Sequence, residues 1–71
     1  MSDAAIKVGV VGAGGRMGRT VCEAVHLDPA LELVAAVDPH AAGGEVHGVT
    51  IAPELRALAD AGAQVVVDFT V

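Results

Sequence analysis

Residues 8–19 combine glycine and arginine in a way that suits anion binding. The segment reads Val-Gly-Val-Val-Gly-Ala-Gly-Gly-Arg-Met-Gly-Arg and holds five glycines and two of the four basic residues of the chain. Where a strand turns into a helix, free main-chain N–H groups and the helix dipole place partial positive charge at the helix start. Arginines are unfavourable there unless an anion lies nearby. The segment therefore predicts a phosphate-binding turn.

Each glycine of this turn has its own expected task. We expect Gly12 to permit the tight turn and Gly18 to let the helix lie close to the strand. Gly14 and Gly15 would leave main-chain atoms open to a pyrophosphate. The common dinucleotide pattern G-x-G-x-x-G would require a further glycine where this chain has Met17. The spacing is better described by Gly12, Gly15 and Gly18.

An acidic residue follows at the distance expected of a ribose-binding carboxylate. Asp38 lies twenty positions after Gly18, at the end of a second apolar segment. A carboxylate there accepts hydrogen bonds from the hydroxyls of an adenosine ribose. Asp38 would repel a 2′-phosphate and Pro39 offers no guanidinium to bind one, so the sequence favours NADH over NADPH. Arg16 and His40 remain as side chains that would reach a 2′-phosphate from the side.

Phe69 and Thr70 close the last apolar segment of the chain. In an open parallel sheet, ligands bind outside the carboxyl ends of the strands, near the point where the strand order reverses. We therefore expect Phe69 and Thr70 to line the nicotinamide side of the cleft.

Other ligands of glycine-rich turns fit this pattern less well. A methyltransferase turn would usually carry an acid where Val10 stands, and a Walker loop needs Lys and Ser/Thr after its last glycine, with a different glycine spacing. An FAD-binding turn stays open, because FAD presents the same ribose and pyrophosphate. The three histidines have no metal-ligand spacing, and no nucleophile, base and orienting acid can be assembled. No catalytic or metal-binding residue is therefore predicted.

The elements that must position these residues alternate between strand and helix. Apolar segments predict strands at 6–11, 31–37, 49–51 and 64–69, with a loop at 40–48. Apolar spacing predicts a first helix that ends near Leu27, because Pro29 disfavours helix in the residue before it, and a second from Pro53 to Gly62. The residues expected to be buried on the two helices are Met17, Val21, Ala24 and Val25, and Leu55, Leu58 and Ala59.

This order predicts an α/β fold, a Rossmann-type parallel sheet with strand order 3-2-1-4. The sequence stops directly after the last predicted strand. We therefore expect residues 1–71 to be the N-terminal part of a dinucleotide-binding domain, with the substrate-binding and catalytic domain outside this chain.

The composition restricts the class of protein further. The chain is 54% hydrophobic but contains one aromatic residue, which predicts a core of small aliphatic side chains such as buried parallel sheets contain. A formal net charge of -5 argues against binding to nucleic acid or to a membrane surface. The N-terminus has no signal-peptide or membrane-span pattern, so a cytoplasmic location is expected. The single cysteine, Cys22, is expected to be a small buried residue on the first helix.

These motifs together resemble one enzyme family. Gly-Ala-Gly-Gly-Arg-Met-Gly, the later acid and the segment Val-Val-Val-Asp-Phe-Thr are similar to the N-terminal part of the 4-hydroxy-tetrahydrodipicolinate reductases, also called dihydrodipicolinate reductases. The resemblance spans essentially the whole chain. It implies a cytoplasmic oxidoreductase of the diaminopimelate route to lysine, commonly a homotetramer, that reduces its cyclic substrate with NADH or NADPH.

The resemblance also bears on individual residues. Many members place an arginine after the ribose acid, where this chain has Pro39, and their catalytic residues lie in later sequence. The chain alone is therefore expected to be inactive. Another NAD(P)-dependent dehydrogenase or a non-enzymatic dinucleotide-sensing module remain as alternatives. The residues expected to bind the cofactor are Gly12, Ala13, Gly14, Gly15, Arg16, Met17, Asp38, Phe69 and Thr70.

Overall fold

A five-stranded sheet forms the centre of the fold. The computed structural model describes residues 5–69. The elements are β1 (Ile6–Val11), α1 (Arg16–Leu27), β2 (Leu31–Val37), β3 (Glu45–Val46), β4 (Val49–Ala52), α2 (Arg56–Asp60) and β5 (Val65–Asp68). The strand order is β3-β4-β2-β1-β5. Strands β4, β2, β1 and β5 run parallel, and β3 pairs antiparallel with β4 at the edge.

The predicted α/β fold is confirmed, and the strand order differs from the prediction by one strand. The four predicted strands correspond to β1, β2, β4 and β5 and keep their expected order. The additional strand, β3, lies inside the predicted loop at 40–48, which is a correction. It forms a hairpin with β4 through His47 and Gly48, which both have positive φ, 48° and 83°. Two consecutive residues with positive φ form the tight hairpin turn whose twist matches that of the paired strands. The sequence did not predict β3, because a strand of two residues gives no detectable pattern.

The two helices cover opposite faces of the sheet. Successive residues of a strand point to opposite faces. Val8 and Val10 of β1 pack in one cluster with Cys22 of α1, whereas a carbon added at Gly9 between them would overlap Leu58 of α2. The chain passes from β1 to β2 on one side of β1 and later crosses to β5 on its other side. The strand order therefore reverses between β1 and β5, as in doubly wound folds.

The core consists of small aliphatic side chains, as predicted from composition. Val10 and Ile51 are 0% and 1% exposed and belong to the same buried cluster as Val8. Cys22 is also fully buried there, which confirms the expectation for this residue. Burial raises the pKa of the Cys22 thiol above its ordinary value, although the positive charge of Arg19 acts in the opposite direction.

Helix α1 ends at Leu27 as predicted, but its buried face is rotated from the predicted one. Asp28, before Pro29, is in an extended conformation with ψ 117°. Met17 is 62% exposed, and the buried residues of α1 are Gly18, Cys22 and Val25. The prediction relied on large apolar side chains, whereas the buried face of α1 includes a glycine, Gly18, and a cysteine, Cys22.

Helix α2 is shorter than predicted. It begins at Arg56, three residues after Pro53, and none of its five described residues is buried. Leu55 is 62% exposed, so the expected buried stripe is wrong apart from the partly buried Leu58.

The expected end of α2 at Gly62 is confirmed. Gly62 has φ 74°, and its N–H donates to Ala59 O at 3.1 Å while Ala63 N donates to Leu58 O at 3.0 Å. This paired arrangement is a Schellman motif, which satisfies the last carbonyls of a helix.

Gly18 is the position where α1 touches the turn after β1. A carbon added there would overlap Gly12 O and lie 2.8 Å from the Cα of Ala13, which are both main-chain atoms. Because neither a rotamer change nor a side-chain shift relieves such a clash, the whole helix would have to move. Glycine at this position is therefore what allows α1 to lie against the turn.

Gly18→Ala is expected to destabilise the fold by about 3 kcal/mol, as overpacking against main chain does. Urea denaturation of the purified protein measures the loss. Gly15→Ala is the matched control, because Gly15 has φ -77° and its added carbon would come no closer than 3.6 Å to another atom. We expect the control to lose less than about 1 kcal/mol. Equal losses in the two variants would contradict the proposed packing.

Candidate functional site

The predicted site residues that the structure describes lie at the carboxyl ends of β1, β2 and β5 and in the first turn of α1. The N–H of Gly12, just after β1, donates to Val37 O at 2.7 Å, and the N–H of Phe69, just after β5, donates to Val11 O at 2.9 Å. These bonds bring the turn after β1 beside the ends of both neighbouring strands. Since the strand order reverses between β1 and β5, this edge is where open α/β sheets bind ligands.

Gly12 has the conformation that the turn requires. Its φ is 83°, a region that L side chains rarely adopt, and an added carbon would lie 3.2 Å from the carbonyl carbon of Phe69. The following residue, Ala13, is fully buried, and its N–H also donates to Val37 O. The turn therefore packs between the ends of β2 and β5, and its contacts with both strand ends fix its position.

Gly14 and Gly15 face different surroundings. A carbon added at Gly14 would overlap the Cβ of Ala41 and lie 2.8 Å from Oδ2 of Asp38. The glycine at this position therefore accommodates the loop after β2, and contact of the Gly14 main chain with a pyrophosphate stays a prediction. Gly15 is exposed, and its nearest atom to an added carbon is Gly12 O at 3.6 Å. The open side of the turn is at Gly15.

The start of α1 is positively charged and uncapped. Gly15 is the N-cap residue, no side chain among residues 5–69 caps the helix, and its first turn contains no acid. Arg19 Nε donates to Gly14 O at 3.2 Å, which holds this guanidinium against the turn. The guanidinium of Arg16 is exposed and makes no hydrogen bond or ion pair within residues 5–69. Main-chain N–H groups, the helix dipole and two arginines together favour an anion at Gly15.

Asp38 connects the end of β2 to the glycine turn. It is 9% exposed, its Oδ2 accepts the N–H of Gly14 at 2.9 Å and its Oδ1 accepts the N–H of His40 at 3.0 Å. Its own N–H donates to Ala52 O at 2.9 Å, which fixes it to β4 as well. Each carboxylate oxygen has two lone pairs, so each retains one acceptor position for a further donor. Asp38 is thus held by three hydrogen bonds beside the uncapped start of α1.

The structure brings several of the predicted site residues together and shows contacts between them that the sequence did not predict. The structure brings the glycine turn, Asp38 and Phe69 to one edge, with Phe69 partly buried against the core. Met17 lies exposed in the first turn of α1, and Thr70 is outside the described residues. Ala41 was missed as the neighbour of Gly14. An Asp followed by Pro indicates a turn that the Asp side chain caps, and that signal was available.

The remaining observations concern the histidines, metal binding and membrane-spanning helices. His26 of α1 and His47 of the β3–β4 turn are stacked, with ring centroids 4.3 Å apart and an interplanar angle of 14°. Within residues 5–69, no three side chains of the metal-ligating types are grouped for a metal ion. In that same range no helix has the length and apolar character needed to cross a membrane.

Comparisons with known proteins identify relatives along nearly the whole chain. A family model described as "Dihydrodipicolinate reductase, N-terminus" matches residues 6–71. A protein of Corynebacterium efficiens named "4-hydroxy-tetrahydrodipicolinate reductase" is 50% identical over 66 residues, which are 93% of this chain and 22% of the relative. A protein of the same name from Streptococcus mutans is 44% identical over 93% of this chain and 26% of its own length.

A third protein of that name, from Streptococcus pneumoniae, is 40% identical over 92% of this chain and 26% of its own length. The chain thus spans 22% to 26% of the length of these curated relatives. No solved structure matches the chain.

Asp38→Asn is expected to lower the free energy of unfolding by about 1–3 kcal/mol. An amide has one acceptor oxygen, so its NH₂ group would face either Gly14 N–H or His40 N–H, a donor against a donor. Urea denaturation measures the loss, and amide hydrogen exchange at Gly14 locates it.

Asp28→Asn is the matched control. Asp28 accepts the N–H of Ala30 at 2.9 Å in an exposed turn, where asparagine forms the same bond. We expect a change within about 0.5 kcal/mol for this variant. Equal losses in the two variants would show that Asp38 does not tie the loop to the glycine turn.

Proposed function

The chain belongs to the dihydrodipicolinate reductase family, and we propose that residues 1–71 provide the N-terminal part of the dinucleotide-binding domain of a 4-hydroxy-tetrahydrodipicolinate reductase. In this proposal the remaining domain, which binds substrate and supplies the catalytic residues, lies in sequence outside the chain. The observation that carries the proposal is the contact between Asp38 and the glycine turn, because it sets a ribose-binding acid directly beside an uncapped helix start.

The pyrophosphate of the coenzyme binds at the start of α1. Gly15 is exposed and leaves room for it, since an added carbon would meet only Gly12 O, at 3.6 Å. The free N–H groups of the first turn donate to its oxygens, and the exposed Arg16 supplies the opposing charge. Arg19 adds charge from its position against Gly14 O. The residues present therefore fit a diphosphate.

The adenosine ribose binds at Asp38. The carboxylate retains one acceptor position on each oxygen after its bonds to Gly14 and His40, which matches the two hydroxyls of a ribose. A 2′-phosphate in place of one hydroxyl brings a second negative charge to the same place, and Pro39 offers no cation against it. The site therefore favours NADH over NADPH.

The nicotinamide end lies toward β5. Phe69 is adjacent to Gly12 at the point where the strand order reverses, which supports a place for it beside the nicotinamide; Thr70, expected there from the sequence, lies outside the described residues. When bound, the reduced nicotinamide supplies the hydride for reduction of the cyclic imine-type substrate. No set of residues in the chain is suited to move the accompanying proton, so we propose that the 71 residues alone turn over no substrate.

The family also implies the setting of the complete enzyme. We place it in the diaminopimelate route to lysine and in the cytoplasm, as a homotetramer. The net charge of -5 argues against nucleic acid or a membrane surface as the ligand of this domain, and we propose a small-molecule dinucleotide on the ground of the glycine turn and Asp38.

Calorimetric titration of the complete reductase with NADH and NADPH tests the proposed site. We expect tighter binding of NADH in the wild type. Asp38→Ala removes the ribose acceptors and is expected to weaken NADH about tenfold, the loss of a hydrogen bond to a charged group. NADPH should weaken less, because the repulsion of its 2′-phosphate disappears with the carboxylate.

Asp28→Ala is the matched control for charge removal, because Asp28 lies at the amino end of β2 and hence at the opposite edge of the sheet. It should leave both affinities unchanged. If Asp38→Ala binds NADH and NADPH with the wild-type affinities, Asp38 does not bind the ribose.

A further inference from the structure

Gly14 is held on both sides by charged side chains. Its N–H donates to Oδ2 of Asp38 at 2.9 Å, and its carbonyl oxygen accepts a hydrogen bond from Nε of Arg19 at 3.2 Å. Hydrogen bonds in which one partner is ionised are stronger than those between neutral groups. Each polar main-chain group of this glycine is therefore bonded to a charged side chain, one from the end of β2 and the other from α1.

Arg19 also holds the next carbonyl along the chain. Its main-chain N–H donates to Gly15 O at 2.9 Å. One residue of α1 thus bonds two successive carbonyls, the first through its side chain and the second through its main chain. The N–H of Gly15 donates to Gly12 O at 3.2 Å. Both polar atoms of the peptide group between Gly14 and Gly15 are therefore hydrogen-bonded.

This peptide group needs to be held because it joins two glycines. Neither Gly14 nor Gly15 has a side chain that would restrict rotation of the main chain. Gly15 is the N-cap residue of α1, so the peptide before it determines how the turn leads into the helix. A rotation of this peptide would break the bond to Gly12 O and would move Gly15, the open side of the turn, relative to the free N–H groups of α1.

We propose that Arg19 is a positioning residue for the coenzyme: its Nε fixes the Gly14–Gly15 peptide group and thereby the turn against which the pyrophosphate binds. The inference rests on the proposed function and goes beyond the charge that Arg19 contributes there. A turn that is fixed in its binding conformation has less conformational freedom to lose when a ligand binds. Loss of the bond to Gly14 O therefore weakens the coenzyme without removing any group that touches it.

The two arginines at the start of α1 then have different tasks. The guanidinium of Arg16 is exposed and makes no hydrogen bond or ion pair within residues 5–69, so it is free to meet the charge of the pyrophosphate. The Nε of Arg19 is instead bonded to the main chain of the turn. A substitution that keeps this bond but removes the charge distinguishes the two tasks.

Glutamine and methionine are the substitutions that separate the bond from the charge. Glutamine has an NH₂ group at the same position along the side chain as Nε of arginine, so Arg19→Gln keeps a donor for Gly14 O without the charge. Arg19→Met has a methyl group at that position and keeps neither. Because Arg19 is exposed, both variants are expected to fold, and cooperative unfolding in urea checks this.

Calorimetric titration of the complete reductase with NADH measures the effect on binding. We expect the dissociation constant of Arg19→Met to be about three- to fivefold above that of Arg19→Gln, which corresponds to one hydrogen bond. Arg19→Gln should stay within about twofold of the wild type, because an exposed charge contributes little. Lys7→Met is the matched control for loss of a cation, since Lys7 is exposed at the amino end of β1, at the opposite edge of the sheet. It should keep the wild-type affinity.

Amide hydrogen exchange of the same proteins without coenzyme tests the bond directly. When the Gly14 carbonyl is released, the peptide group opens more often, so exchange at Gly15 N–H is expected to be about three- to fivefold faster in Arg19→Met. Arg19→Gln should exchange at close to the wild-type rate, because its amide replaces the donor.

The outcomes separate the inference from the proposed function. If NADH binds but Arg19→Gln weakens it as much as Arg19→Met does, Arg19 acts through its charge alone; the inference is overturned and the proposed function stands. Equal exchange at Gly15 in the wild type and in Arg19→Met would likewise overturn the inference, since the bond would not hold the peptide group. If the wild type binds neither NADH nor NADPH, the proposed function fails and the inference fails with it.

Discussion

The hydrogen bond from Gly14 N–H to Oδ2 of Asp38 is the interaction on which the site depends. It joins two segments that are 24 residues apart in sequence, the turn after β1 and the loop after β2. A charge-assisted bond of this kind is stronger than one between neutral groups. Because Asp38 is also bonded to His40 and Ala52, its carboxylate and the start of α1 are held in the fixed arrangement that the proposed coenzyme site requires.

The glycines of the turn serve the site through four separate physical constraints. Gly12 supplies a positive φ, Gly14 accommodates the loop after β2, Gly15 leaves open space and Gly18 lets α1 touch the turn. Among these four, only Gly15 lies at the side of the turn where we propose that the pyrophosphate binds. The other three allow close contacts between neighbouring segments of the fold. The same sequence motif therefore stabilises the packing and leaves the positive end of α1 exposed.

Sequence patterns predicted the parts of the fold that local chemistry determines. The bounds of β1 and β2, the end of α1 before Pro29 and the end of α2 at Gly62 follow from apolar runs and from backbone preferences of proline and glycine. Strand β3, the buried face of α1 and the contact of Ala41 with Gly14 depend on tertiary packing. Short edge strands and close contacts between small residues leave no periodic signal, so these features appeared only in the structure.

The most direct test of the account is the response of individual main-chain amides to the coenzyme, followed by nuclear magnetic resonance of the ¹⁵N-labelled protein during titration with NADH. We predict the largest shift changes at the amides of Arg16 and Met17, where the uncapped helix begins. Gly14 and Gly15 should respond less, because their N–H groups stay bonded to Asp38 and to Gly12 O. Changes concentrated at the β3–β4 turn or at the amino ends of the strands, with the start of α1 unaffected, would contradict it.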